Sequence, residues 1–176
     1  VGQVRDTTAA ALGDAWNHAR FEAARTRIEQ QLGGGRLREA FDGAQQLLER
    51  GRAAGEQAYP GADYDLAGAC WLLARVLDAA HSLEQALPLV DEACQRFQAI
   101  ANEHPGIGAE RMMAVCFADQ GGSLRGLGRL DEAAAAYEES IRRAEQLGDT
   151  RQVAVAKGQL GTVLMLQRRY EEALAA

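Results

Sequence analysis

The chain has 176 residues, a formal net charge of −6 and only three prolines, a length that suits one ordinary domain. Alanine and glycine are abundant, good helix formers fill the rest and β-branched runs are nearly absent, which favours helices and argues against a sheet. Acidic and basic residues are interspersed, which argues against a phosphate-binding face as the primary role. No apolar stretch reaches the roughly 18 residues of a membrane span, and no signal peptide is evident.

The predicted elements are all helical. The first helix runs from about Thr7 to Leu32 and stops at Gly33, Gly34 and Gly35, which supply left-handed turns. The second covers about Leu37 to Ala54, before the loop GEQAYPGAD. A pair follows over Asp65–Ala80 and Ser82–Asn102, with Pro88 in the early turns of its second member. EHPGIG breaks the chain again, and helices are expected over Ala109–Gly126 and Asp131–Leu147. GDT at Gly148–Thr150 is a stop and restart with Asp149 or Thr150 as cap. The last pair is expected as a helix over Gln152–Leu166, a turn, and a second helix that begins at Tyr170 and is cut off at Ala176.

Four phrases recur: GGGRLREAFDGAQ from Gly33, AAHSLEQALPLVDEA from Ala79, GLGRLDEAAAAYEES from Gly126 and LQRRYEEALAA from Leu166. They align Leu37, Leu83, Leu130 and Tyr170, and three residues on Ala40, Ala86, Ala133 and Ala173, the alanines being 46, 47 and 40 residues apart. Each unit is therefore a helical hairpin. The alanine lets the two backbones approach, and the large residue before it plugs the base of the hairpin. The first helix of a unit has its own pattern: Leu73, Ala74 and Leu77 align with Gln120, Gly121 and Leu124, and with Leu160, Gly161 and Leu164. A small residue followed three later by a large one sets a notch beside a knob on one face.

These phrases resemble the tetratricopeptide repeat, most closely through LG-x2-L and Y-x2-A in the fourth unit and G-x2-L, G-x-L-x2-A and Tyr137 in the third. The units exceed the usual length of about 34 residues, so the resemblance is to the longer variety of kinesin light chains and bacterial regulators. It covers nearly the whole chain as one domain of about three and a half units, approximately 7–54, 63–103, 107–147 and a truncated 150–176. The first unit departs from the pattern at Ile28, where a small residue is expected. The resemblance implies an all-α solenoid of stacked antiparallel hairpins, a right-handed superhelix with the first helix of each hairpin lining the concave side.

Catalytic chemistry is not expected. His18, His81 and His104 fall in different hairpins, and Cys70, Cys94 and Cys116 are far apart, with no cysteine or histidine pair at ligand spacing. The odd cysteine count fits reduced, packed thiols and a reducing, cytoplasmic compartment. Gly33–Gly35 lacks the lysine of a phosphate loop, and acidic pairs such as Asp131/Glu132 read as helix-start charges. No catalytic, cofactor or metal set emerges.

The family pattern instead implies groove positions: Trp71, Arg75 and Asp78 in the second unit, Ala118, Gly122 and Arg125 in the third, Gly158, Thr162 and Met165 in the fourth, and Arg25 and Glu29 in the first. Trp71 fits either an aromatic anchor or core packing. Arg75 and Arg125 fit either a grip on a carboxylate or pairing with Glu29, Asp78 or Asp119. Asparagine, a staple of repeat proteins that clamp chaperone tails, occurs only at Asn17 and Asn102. The expectation is a non-enzymatic scaffold for a protein or peptide partner, without cofactor, nucleic acid or membrane. The alternative is homo-oligomerisation through the open end of the stack. The richness in alanine and arginine suits a bacterial source.

Overall fold

The computed structural model describes residues 16–106 and 108–175, with side chains as far as Arg168. Seven helices occur among them: α1 (His18–Gly33), α2 (Leu37–Ala54), α3 (Ala62–Ala79), α4 (Leu83–Glu103), α5 (Ala109–Gly126), α6 (Leu130–Gln146) and α7 (Thr150–Ala175). Consecutive helices pack as antiparallel neighbours. The odd-numbered helices also pack backbone to backbone in succession, α1 on α3, α3 on α5 and α5 on α7, while the even-numbered ones pack so closely only on their neighbours in the chain. The stack is thus drawn together on its odd side, as in a solenoid. On the even side an ion pair joins α2 to α4, Arg52 to Glu92 at 2.6 Å.

The hairpins close as the aligned phrases require. Ala40, Ala86 and Ala133 are each fully buried. Each faces a position twelve residues earlier and another four residues later, and the sizes of those two residues compensate. In the third hairpin Gly121 lies under the Tyr137 ring, so close that a Cβ there would sit 2.9 Å from it. The second uses Ala74 with Val90. The first reverses the arrangement: Ile28 is the knob, and Ala44 and Gly43 are the hole, a Cβ on Gly43 coming within 3.1 Å of Ile28. The departure at Ile28 is therefore a swap of large and small between the two helices, and it conserves volume.

Two expectations about boundaries need correction. Among the described residues the first helix starts at His18, so the helix expected over about Thr7–Leu32 does not run through Trp16 and Asn17. Asn17 caps it by accepting the Arg20 backbone N–H at 3.1 Å, and Thr7–Ala15 lie outside the described residues. The turn expected before Tyr170 is absent, since α7 runs unbroken from Thr150 to Ala175. The three turns that do form share one conformation. Gly35, His81 and Gly128, at aligned positions, have φ of +72°, +57° and +77°. The aligned residue in the fourth unit is Arg168. A left-handed backbone costs a side-chain-bearing residue about 1–2 kcal/mol, and here the helix continues instead.

Candidate binding cleft

A cleft of about 490 Å³ opens across the odd-numbered helices. One wall is Arg75 and Asp78 on α3, and the opposite wall is Ala118, Asp119, Gly122, Ser123 and Arg125 on α5. Leu32 of α1 and Val155 and Gln159 of α7 close its ends, and Tyr137 of α6 forms part of its lining. Its volume falls in the range of small-ligand and side-chain pockets, about 300–1,000 Å³.

The wall is built around Trp71. Its indole N–H donates to Asp119 Oδ2 at 2.7 Å, 48 residues further along the chain and in the next unit. The Arg75 guanidinium lies over its ring, 4.8 Å from the centroid. Burial pushes the Asp119 carboxyl above the usual carboxylate range, and the Trp71 hydrogen bond and the Arg75 charge work against that rise. Ser123 Oγ donates to Asp78 Oδ1 at 3.5 Å, a long bond that leaves Asp78 exposed.

Two groups are left over. Tyr137 is 1% exposed and its hydroxyl has no hydrogen-bond partner, although Gly122 holds back from it: a Cβ there would stand 3.7 Å from the oxygen. Burial raises the Tyr137 phenol, with Arg125 opposing and Asp119 and Asp78 adding to the rise. Among the described residues Arg125 has no ion-pair partner. A buried unpaired hydroxyl beside a half-buried unpaired cation is an arrangement that awaits an acceptor.

Of the implied groove residues, Arg75, Asp78, Gly122 and Arg125 come together here, with Trp71 directly behind them. Arg25, Glu29, Thr162 and Met165 do not line the cleft. Arg25 pairs with Glu22 at 2.7 Å, Thr162 donates to Gly158 in its own helix, and Met165 is 63% exposed. The reason is the twist of the stack. Counted back from the aligned alanine, the cleft uses position 8 in α1 (Leu32), 7, 8, 11 and 12 in α3, 8 to 15 in α5, and 14 and 18 in α7. It crosses the helices obliquely: position 8 faces it from α1 to α5 but not from α7, and position 11 only from α3 and α5. Asp119, Ser123, Tyr137, Val155 and Gln159 were not among the implied groove residues; the place of Asp119 directly after Ala118, which aligns with Trp71, was the signal available for the first.

Chemistry elsewhere is sparse. The three cysteines, on α3, α4 and α5, are free and buried. Contact with Cys94 and burial push the Cys116 thiol far up, and burial pushes Cys70 up to about 12, which disfavours the reactive thiolate at Cys70 and Cys116. Among the described residues one group has donors placed for a metal ion, His18, Glu22 and Asp65 at the start of the stack. No helix of the described residues is long and apolar enough to cross a membrane.

No protein family and no curated protein matches the chain. A solved structure does, described as the crystal structure of BtubC (BKLC) from P. vanneervenii. The likeness has a TM-score of 0.58 at 20% identity and covers 79% of this chain and 53% of that one. This chain thus spans about half the length of that protein. At that identity the likeness is one of fold: the chain is an all-α helical-repeat solenoid, similar in architecture to BtubC.

Proposed function

We propose that this chain is a non-enzymatic scaffold, the sensory or regulatory part of a larger bacterial cytoplasmic protein, and that it captures a segment of a protein or peptide partner in the cleft between α3 and α5. The observation that carries this reading is the pair of unsatisfied groups, the Tyr137 hydroxyl and Arg125, behind an Asp119–Trp71–Arg75 wall that is already internally paired. Rigid paired groups shape a pocket, and unpaired ones reward an occupant. Selection from a random peptide library on the immobilised chain tests it. Selected peptides should bind in solution and lose at least about tenfold in affinity, or 1.4 kcal/mol, against Arg125→Ala. Peptides that bind this variant equally well would place recognition elsewhere.

A second reading is self-association through α7. Leu164 aligns with the buried Leu77 and Leu124 but is 48% exposed, beside the exposed Met165. A monomer at every concentration would remove it.

A further inference from the structure

The start of the stack carries polar chemistry that the cleft does not use. Asp65, in the first turn of α3, is 3% exposed, and a carboxylate so buried needs partners. Its Oδ2 accepts the Tyr59 hydroxyl at 2.8 Å and faces His18 Nδ1 at 2.8 Å. Tyr59 therefore fixes Asp65 from behind, as an outer partner fixes a ligand carboxylate. His18 and Glu22 are four residues apart on α1, one turn above each other on the same face. The donor atoms of His18, Glu22 and Asp65 all lie within 4.8 Å of one another, and the His18 side chain is 62% exposed, so water reaches the group. Arg25, the cation nearest the group, is held by Glu22 Oε2 at 2.7 Å.

We propose that His18, Glu22 and Asp65 bind a divalent transition-metal ion, with zinc as the fitting species, and that the ion clips α1 to α3. One imidazole and two carboxylates make a mixed nitrogen–oxygen set that suits zinc, whereas magnesium and calcium favour oxygen alone. Zinc holds such donors at about 2.0–2.2 Å, so two donors around it stand at most about 4.4 Å apart. Closing the group from its present spread takes about half an ångström, within the reach of the exposed His18 and half-exposed Glu22 side chains. The ion takes the place of the proton between His18 and Asp65, which is released to solvent, and water completes the coordination.

Calorimetric titration of zinc chloride into the chelator-stripped full chain tests the site, with magnesium chloride as control and a thermal melt alongside. One saturable zinc equivalent and a higher melting temperature are expected, with neither effect from magnesium. His18→Gln, which keeps a donor for Asp65, should weaken zinc by at least about tenfold, and Tyr59→Phe, which keeps all three ligands, by about 10–100-fold. Circular dichroism checks that both variants fold. No saturable binding to the wild-type chain, equal binding of magnesium, or unchanged binding by His18→Gln would overturn the proposal; the last result would move the ion to another histidine.

Discussion

At the scale of single residues, the cleft sets groups already paired within the fold beside groups left unpaired. The Tyr137 hydroxyl has no partner and is buried, which costs about 1–3 kcal/mol relative to a satisfied group. Tyr137→Phe keeps the ring against Gly121 and removes the orphan. We expect unfolding by urea to show equal or higher stability, by up to about 1 kcal/mol, together with weaker binding of any peptide selected on the wild-type cleft. A loss of stability would mean that the hydroxyl has a partner in the free protein, a bound water being the simplest. Trp71 and Asp119 behave oppositely. The folded-state carboxyl of Asp119 is raised by burial, so its contribution to stability is full below the ordinary carboxylate range and is lost as pH rises through the folded value. The Trp71 N–H opposes that rise by favouring the charged form. Trp71→Phe removes the donor and pushes Asp119 further up. The variant should therefore be destabilised at pH 7, by about 1.5–3 kcal/mol for a hydrogen bond to a charged group, and less so as pH falls towards 4. A deficit independent of pH would assign the loss to packing alone.

At the scale of the element, the same notch position has opposite tolerances in two helices. Gly121 of α5 is covered by Tyr137, with Cβ distances of 2.9–3.0 Å to three ring atoms. Gly161 is its aligned counterpart on α7 and meets nothing within 4 Å. Gly121→Ala should overpack the α5–α6 contact and cost about 1–3 kcal/mol, while Gly161→Ala should gain up to about 1 kcal/mol of helix propensity. In a chain of this size each kcal/mol moves the melting temperature by about 2–4 °C, so calorimetry resolves the two signs. The pair also shows what the amino-acid pattern conveys. Notch, knob and alanine spacing mark three hairpins and the helix after them, because these are nearest-neighbour rules repeated along the chain. The pattern fails at the turn expected before Tyr170. Arg168 is aligned with three left-handed residues, two of them glycines, yet α7 runs straight through it. The cleft was legible at Arg75, Asp78, Gly122 and Arg125 and not at Val155 or Gln159, because its oblique path depends on the accumulated twist of the stack rather than on any local spacing.

At the scale of the molecule, one apolar face distinguishes the two readings of function. Leu77 and Leu124 are buried by the helices stacked over them, and the equivalent Leu164 lies open next to the exposed Met165. Burial of such apolar area at about 25 cal/mol per Å² favours its coverage. Light scattering coupled to size exclusion over a dilution series measures whether another copy covers it. A mass near 18.9 kDa throughout would leave the cleft as the working surface. A doubled mass that persists on dilution would make α7 the interface, and Leu164→Glu with Met165→Glu should then restore the monomer, since each buried carboxylate would face an apolar partner without compensation. Val155 is exposed on α7 and closes one end of the cleft, but nine residues of helix, two and a half turns at about 3.6 residues per turn, set it on the opposite side from Leu164. Dimerisation over Leu164 would therefore leave the cleft open, so selected peptides should bind the dimer and the Leu164→Glu/Met165→Glu monomer with equal affinity. Weaker binding to the dimer would show that the interface wraps around α7 as far as Val155 and that the two surfaces compete.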